Sequence, residues 1–198
     1  MAYAIIGSGN IGSALARQFA RKGINVLVAN SRGPASLAGL VAELGPTVVP
    51  ATLEQALAAD LVILAVPFPK VPDAVRGAGP WQGRVVVDAT NAIDYPAFTP
   101  KDLGGRLSSA IVAEAVPGAR LVKAFNTLPA AVLAQDPASP GGRRVVFLSG
   151  DDRAANADVA GLVDRLGFAP IDLGSLAAAG PLQQFGGPLM VHDLLKRG

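Results

Sequence analysis

Three glycines near the start of the chain, Gly7, Gly9 and Gly12, have the spacing G-x-G-x-x-G, with Ser8, Asn10 and Ile11 between them. An apolar run, residues 3–6, leads in, and a small-residue helical pattern, residues 10–22, leads out. The chemistry open to such a turn is anion binding. Gly7 lets the chain turn sharply and Gly9, without a Cβ, lets backbone N–H groups approach a pyrophosphate. Gly12 lets the helix lie close to the strand. The helix N-terminus then presents unpaired N–H groups and its positive dipole end to the anion. In this context the motif predicts a dinucleotide site rather than a bare turn.

The end of the second apolar run selects the dinucleotide. About 20 residues past the glycine turn, an NAD site places an acid on the ribose hydroxyls. Here the sequence reads Asn30-Ser31-Arg32, and no acid follows until Glu43. Ser31 can hydrogen-bond a 2′-phosphate, and Arg32 can pair with it and stack on adenine. The expected cofactor is NADP(H). Later apolar runs end in small or polar residues: Ala65-Val66-Pro67, then Thr90-Asn91, then Ala124-Phe125-Asn126-Thr127. These would line the crevice at the strand ends, with Asn91, Asn126 and Thr127 beside the carboxamide and ribose.

Acid–base chemistry is poorly provided for. His192, the sole histidine, lies near the C-terminus and is expected at the surface or at a helix end. Four residues after Tyr95 stands Thr99, so there is no Tyr-x-x-x-Lys, and Lys123 falls inside a strand. Alcohol oxidation needs a base for the hydroxyl proton. Hydride exchange between two redox cofactors needs much less, because the acceptor ring carries its own chemistry. The scarcity points to a flavin-like acceptor.

The elements that must position these residues alternate. Strands are expected at 25–29, 47–49, 61–66, 84–88, 121–125, 143–148 and 169–172, after the first at 3–6. Helices are expected at 34–44, 52–58, 71–77, 108–116, 128–135 and 152–166, with a closing helix at 189–196. Residues 90–106 read as a long polar loop, and the uncharged stretch 173–191 as a loop-rich wall over a pocket. Its Gly, Pro and Gln residues exclude a membrane span. The reading is α/β: a Rossmann-type doubly wound, mostly parallel sheet with a small C-terminal α/β extension. One domain, 1–198, is expected, with a dinucleotide-binding core at 1–125 and a part at 126–198 covering the acceptor site.

With 51% hydrophobic and 16% charged residues, the chain is globular rather than disordered. A net charge of +2 with scattered basic residues points away from nucleic acid. The absence of Cys excludes disulfides, a thiolate nucleophile and a Cys-ligated metal, and no metal is expected. With no signal peptide before the first strand, a cytoplasmic location without membrane attachment is expected.

The stretches Ile5-Ile6-Gly7-Ser8-Gly9-Asn10-Ile11-Gly12, Asn30-Ser31-Arg32, Val62-Ile63-Leu64-Ala65-Val66-Pro67, Lys123-Ala124-Phe125-Asn126-Thr127 and Gly180-Pro181-Leu182 resemble the NADPH-dependent coenzyme F420 reductase family. The chain is also similar to the cytosolic NADPH domain of the six-transmembrane metalloreductases. The resemblance implies that the Gly7–Gly12 turn holds pyrophosphate and that Ser31 and Arg32 hold the 2′-phosphate. It places the residues around Pro67 and Asn126-Thr127 at the nicotinamide. A deazaflavin would stack there under the C-terminal residues, with Pro129, Leu182, Gly186, Gly187 and Pro188 as acceptor contacts. Ser36 stands where a second basic contact can occur in the family, and Asn126 where its deazaflavin enzymes carry His. The acceptor can therefore be coenzyme F420, an ordinary flavin or another small redox molecule. A homodimer is expected. The alternatives are a hydroxy-acid or imine dehydrogenase, for whose usual large helical domain 198 residues leave no room, and a non-catalytic NADP(H)-sensing protein.

Overall fold

In the computed structural model, residues 1–197 are described; Gly198, the last residue of the expected single domain, lies outside them. The chain runs β1 (Tyr3–Ile6), α1 (Asn10–Arg21), β2 (Val26–Ala29), α2 (Ala38–Leu44), β3 (Val48–Pro50), α3 (Leu53–Leu57) and β4 (Leu61–Leu64). It continues α4 (Val71–Val75), β5 (Val85–Asp88), β6 (Ile93–Asp94), β7 (Thr99–Pro100), α5 (Ser108–Ala115), β8 (Arg120–Ala124) and α6 (Ala130–Leu133). It closes β9 (Ala138–Ser139), β10 (Gly142–Gly150), α7 (Arg153–Arg165), β11 (Ala169–Asp172), α8 (Leu176–Gln183) and β12 (Leu195–Lys196).

The main sheet has the order β11-β10-β8-β5-β4-β1-β2-β3. From β3 to β8 every pairing is parallel; β10 then runs antiparallel to β8, with β11 parallel to it. This is the expected doubly wound sheet with a C-terminal extension. The strands are buried on both faces, and alternate residues enter separate cores. Tyr3 and Ile5 of β1 face a cluster with Leu15 and Phe19 of α1 and Val159 and Leu162 of α7. Ala4 and Ile6 face the other cluster, with Leu57 of α3, Val71 of α4 and Val112 of α5.

Three segments differ from the sequence reading. The expected closing helix at 189–196 does not form. Instead β12 pairs antiparallel with β10, Lys196 opposite Arg143 and Leu195 opposite Arg144. Arg144, buried, donates to both carboxylate oxygens of Asp193 (2.6 and 3.1 Å), which fixes the tail across β10. The tail passes so close to Gly142 that a Cβ there would lie 2.5 Å from the Lys196 carbonyl oxygen. Within the uncharged stretch, α8 is a helix. The Ser175 hydroxyl caps it by accepting the Ala178 N–H at 3.3 Å, and Pro181 falls near its C-terminal end. Gly180 faces Leu107, where a Cβ would come within 2.8 Å of Cδ1. The loop 90–106 contains the two-stranded β6–β7 hairpin. No helix among the described residues is long and apolar enough to cross a membrane.

Candidate functional site

At the end of β1 the chain turns at Gly7, with φ +111°, and the Gly7 N–H donates to the Ala29 carbonyl at 2.7 Å. A Cβ at Gly7 would overlap the Ala65 carbonyl, and one at Gly12 would overlap the Gly7 carbonyl. These two glycines let turn, helix and β4 close on one another. Gly9 is different. Nothing lies within 4 Å of the Cβ it could carry, and as the N-cap of α1 it has no side chain to satisfy the first-turn N–H groups. Open space over unpaired donors is the arrangement a pyrophosphate needs, so the residues present fit a dinucleotide.

A cleft of about 540 Å³ opens there, over the ends of β2, β1 and β4. It is lined by Gly7, Ser8, Gly9, Asn30, Ser31, Arg32, Ala65, Val66 and Pro67, all expected from the sequence. It is also lined by Ile6, Leu53, Lys70, Asp73 and Ala74, which the sequence reading missed. Asn30 organises its far end. Its Nδ2 donates to Ser8 Oγ (2.8 Å) and Ser36 Oγ (3.0 Å), and its Oδ1 accepts the Arg32 N–H (2.9 Å). That Asx turn aims Ser31 and Arg32 outward, and the guanidinium reaches back to 3.5 Å from Ser8 Oγ. Ser36 donates to the Gly33 carbonyl at 2.7 Å and so shapes the loop. Lys70 is an exposed cation at the rim; Asp73 is engaged by Arg76.

Of the other expected contacts, Asn10 is exposed on the first turn of α1, Ile11 is half-buried, and Gly12 does its work by packing. The ends of β5 and β8 carry a buried network. Lys123 Nζ lies 2.8 Å from Asp88 Oδ2 and donates to the Thr90 carbonyl at 3.1 Å. The Thr90 hydroxyl donates to Asp88 Oδ1 at 2.6 Å. Asn91 donates to the Asn126 carbonyl at 2.8 Å, and Asn126 Nδ2 donates to Asn91 Oδ1 (3.1 Å) and to the Gln183 carbonyl (2.7 Å). Gln183 in turn donates to the Lys123 carbonyl at 3.0 Å and accepts from Ser149 at 2.8 Å. Thr90, Ala124, Phe125, Asn126 and Thr127 are all buried, and Asn91 is half-buried. Sequence reasoning placed Asn126 and Thr127 against the nicotinamide. In the fold the Asn126 amide is engaged by protein, and it holds Asn91 and α8 in place. Phe125 adopts φ +64°, uncommon for a bulky residue, where β8 gives way to this network.

A second cleft, about 350 Å³, opens beyond the end of β5. The hairpin and the loop after it supply Ala92, Pro100, Lys101, Asp102, Leu103, Gly105 and Arg106; α5 supplies Ser108, and the segment after α8 supplies Gln184 and Phe185. Gln184 and Phe185 fall in the stretch 173–191 expected to wall a pocket; the others were not named as site residues, since the cleft arises where distant segments meet. Of the expected acceptor contacts, Leu182 is exposed at the end of α8, and Gly186, Gly187 and Pro188 follow Phe185 directly. Pro129 is exposed at the start of α6, and none of these five expected contacts lines the cleft. Gly186 presses on Pro100, where a Cβ would lie 2.5 Å from Cγ. Among the described residues, no group of His, Cys, Asp and Glu could hold a metal ion.

Residues 2–92, the part that forms the glycine turn and the first cleft, match the family described as NADP oxidoreductase, coenzyme F420-dependent. The matched residues make up just under half of the chain. It is 32% identical, over 88% of its length, to the metalloreductase STEAP3 of Rattus norvegicus, of which it spans 34%. Among solved structures, a hypothetical protein of Sinorhizobium meliloti is 59% identical with a TM-score of 0.97, covering 99% of this chain and 96% of that one. A putative F420-dependent NADP reductase of Arthrobacter sp. FB24 is 29% identical with a TM-score of 0.77, covering 90% of this chain and 87% of that one. The family match over residues 2–92 and the fold agree with the resemblance read from the glycine turn and the Ser31-Arg32 pair.

Proposed function

We propose that this NADP(H)-dependent oxidoreductase passes hydride between NADP(H) and a flat redox ring of the flavin or deazaflavin class, bound at the second cleft. NADPH, when bound, supplies the hydride with its electron pair. The protein's part is to hold and align. The α1 N-terminus and Gly9 receive the pyrophosphate, Arg32 and Ser31 the 2′-phosphate, and Ala65 to Pro67 line the cleft past the end of β4.

The observation that carries this reading is at the ends of β5 and β8. The groups there are the neutral Asn91, Asn126 and Thr127. The titratable pair at these strand ends, Lys123 and Asp88, is buried and closed on itself at 2.8 Å. Among the described residues these strand ends offer no free side chain for taking a hydroxyl proton, which suits the alignment of two rings. The relationship to a putative F420-dependent NADP reductase supports the same class of acceptor.

The test is NADPH oxidation against a panel of riboflavin, FMN, FAD and a deazaflavin, with keto acids and imines as controls. Turnover with at least one ring acceptor is expected. Oxidation by keto acids or imines alone would overturn the proposal.

A further inference from the structure

The first cleft carries more positive charge than Arg32 alone supplies. Its lining holds two cations, Arg32 and Lys70, and one acid, Asp73. Asp73 is paired with Arg76, one turn on along α4. Lys70 is exposed, and its ammonium makes no ion pair or hydrogen bond among the described residues.

The backbone of Lys70 is fixed although its side chain is free. The sequence Pro67-Phe68-Pro69-Lys70-Val71-Pro72 sets three prolines around it, each with a locked φ. Phe68 and Val71 are buried in the cluster under α3 and α4, and the Lys70 N–H donates to the Pro67 carbonyl at 2.8 Å. The ammonium is therefore carried on a stiff turn at the rim of the cleft, and little backbone entropy is lost when it meets a ligand.

The topology decides what lies within its reach. β1 is the strand between β2 and β4. Neighbouring strands are about 4.8 Å apart, so the segments bearing Arg32 and Lys70 leave the sheet about 10 Å apart. Two long side chains close that gap from opposite sides. Lys70 also stands on the face of the sheet covered by α3 and α4, beside Leu53 and Ala74. α1, whose N-terminus offers its N–H groups to the pyrophosphate, packs on the other face. Leu53 and Ala74 give the Lys70 side an apolar surface for a base, which suits the adenosine half of the cofactor. A phosphate monoester on that half carries a charge of about −1.5 to −2 near neutral pH, more than one guanidinium balances. Ser36 adds no charge, and its hydroxyl is given to the Gly33 carbonyl at 2.7 Å.

We infer that Lys70 is a second cation of the 2′-phosphate subsite: Lys70 and Arg32 hold the phosphate from opposite walls of the cleft, and Lys70 takes part in choosing NADP(H) over NAD(H). The inference rests on the 2′-phosphate reading of Arg32 and adds to it a residue from a separate element.

The test is calorimetric titration with NADP+ and NAD+, which differ only in the 2′-phosphate, so neither an acceptor nor turnover enters. Lys70→Met keeps the apolar stem and removes the charge. It should weaken NADP+ about threefold to tenfold, the size of one partly exposed charge-assisted contact, and leave NAD+ unchanged. Lys70→Arg should hold NADP+ near the parent affinity. An equal loss for both cofactors in Lys70→Met would place the ammonium on the pyrophosphate, and unchanged NADP+ affinity would leave it in solvent; either overturns the inference. A parent that binds NADP+ and NAD+ equally would refute the 2′-phosphate reading and this inference with it. A parent that prefers NADP+, loses the preference in Arg32→Ala and keeps it in Lys70→Met would refute the role of Lys70 alone.

Discussion

At the scale of single residues, the cofactor choice rests on Arg32 and the cofactor's presence on Gly9. Asn30 turns the backbone so that the guanidinium of Arg32 lies over the cleft near Ser8. A charge-assisted contact is worth roughly 1.5–3 kcal/mol. Arg32→Ala should therefore weaken NADPH about tenfold or more and leave NADH nearly unchanged; calorimetric titration of both cofactors reads this, and equal losses would refute the 2′-phosphate assignment. Gly9 makes no packing contact that would need a hydrogen at Cα, since the space above it is empty. Gly9→Val should leave the thermal transition near that of the parent and abolish NADPH binding, because the isopropyl group takes the volume of the pyrophosphate. Unchanged affinity in the folded variant would reduce the Gly7–Gly12 motif to a turn.

At the scale of elements, β5 and β8 are joined at their ends by a buried ion pair as well as by their ladder. Lys123 and Asp88 are 1% and 0% exposed, so neither charge has water to fall back on. Lys123→Met should destabilise the protein by about 3–5 kcal/mol, read as a lower denaturant midpoint, because it strands the Asp88 carboxylate. Changing Asp88 to Leu as well should recover most of that loss; a single variant as stable as the parent would show that the pair does not hold the strand ends. The parts of the fold that depend on local pattern were legible in the sequence. The apolar runs of β1, β4 and β5, the glycine turn and the helix expected at 52–58, where Thr52 Oγ1 accepts the Gln55 N–H at 3.2 Å, all depend on near neighbours. What stayed hidden depends on distant ones. Leu195 and Lys196 form a strand in place of the expected helix because β10 extends beyond β8 and offers them Arg144 and Arg143 as partners. Helix α8 tolerates Gly180 and Pro181 because Leu107 packs on the former and the latter falls near the end. The first cleft was largely legible because the glycine turn and the ends of two apolar runs, Asn30 to Arg32 and Ala65 to Pro67, supply most of its lining. The second was not, because the β6–β7 hairpin, α5 and Phe185 meet only in the folded chain.

At the scale of the whole molecule, the C-terminal segment is a strap that ties the extension to the strand ends. The Val191 N–H donates to the Thr127 carbonyl at 2.8 Å, and the Leu189 N–H to the Leu182 carbonyl at 3.0 Å. Val191 takes φ +61° to do so, an outlier for a β-branched residue that the surrounding contacts must enforce. Gly187 lets the strap close, since a Cβ there would lie 2.5 Å from the Leu182 carbonyl oxygen, so a large residue at 187 would spring it open and report on folding rather than on the site. Leu182 is the better probe. It is 41% exposed, at the end of α8 and next to Gln183, whose carbonyl anchors Asn126. Leu182→Arg places a cation on the segment that leads Gln184 and Phe185 into the second cleft, and disturbs no buried contact. NADPH affinity should then stay at the parent value, because the first cleft lies over β1, β2 and β4. Turnover with the best ring acceptor should fall by about tenfold or more, the consequence of desolvating a charged group against an apolar face. The two readouts separate the clefts. Loss of both would mean that the strap supports the dinucleotide site as well, and full turnover in a folded variant would remove the C-terminal segment from the acceptor site.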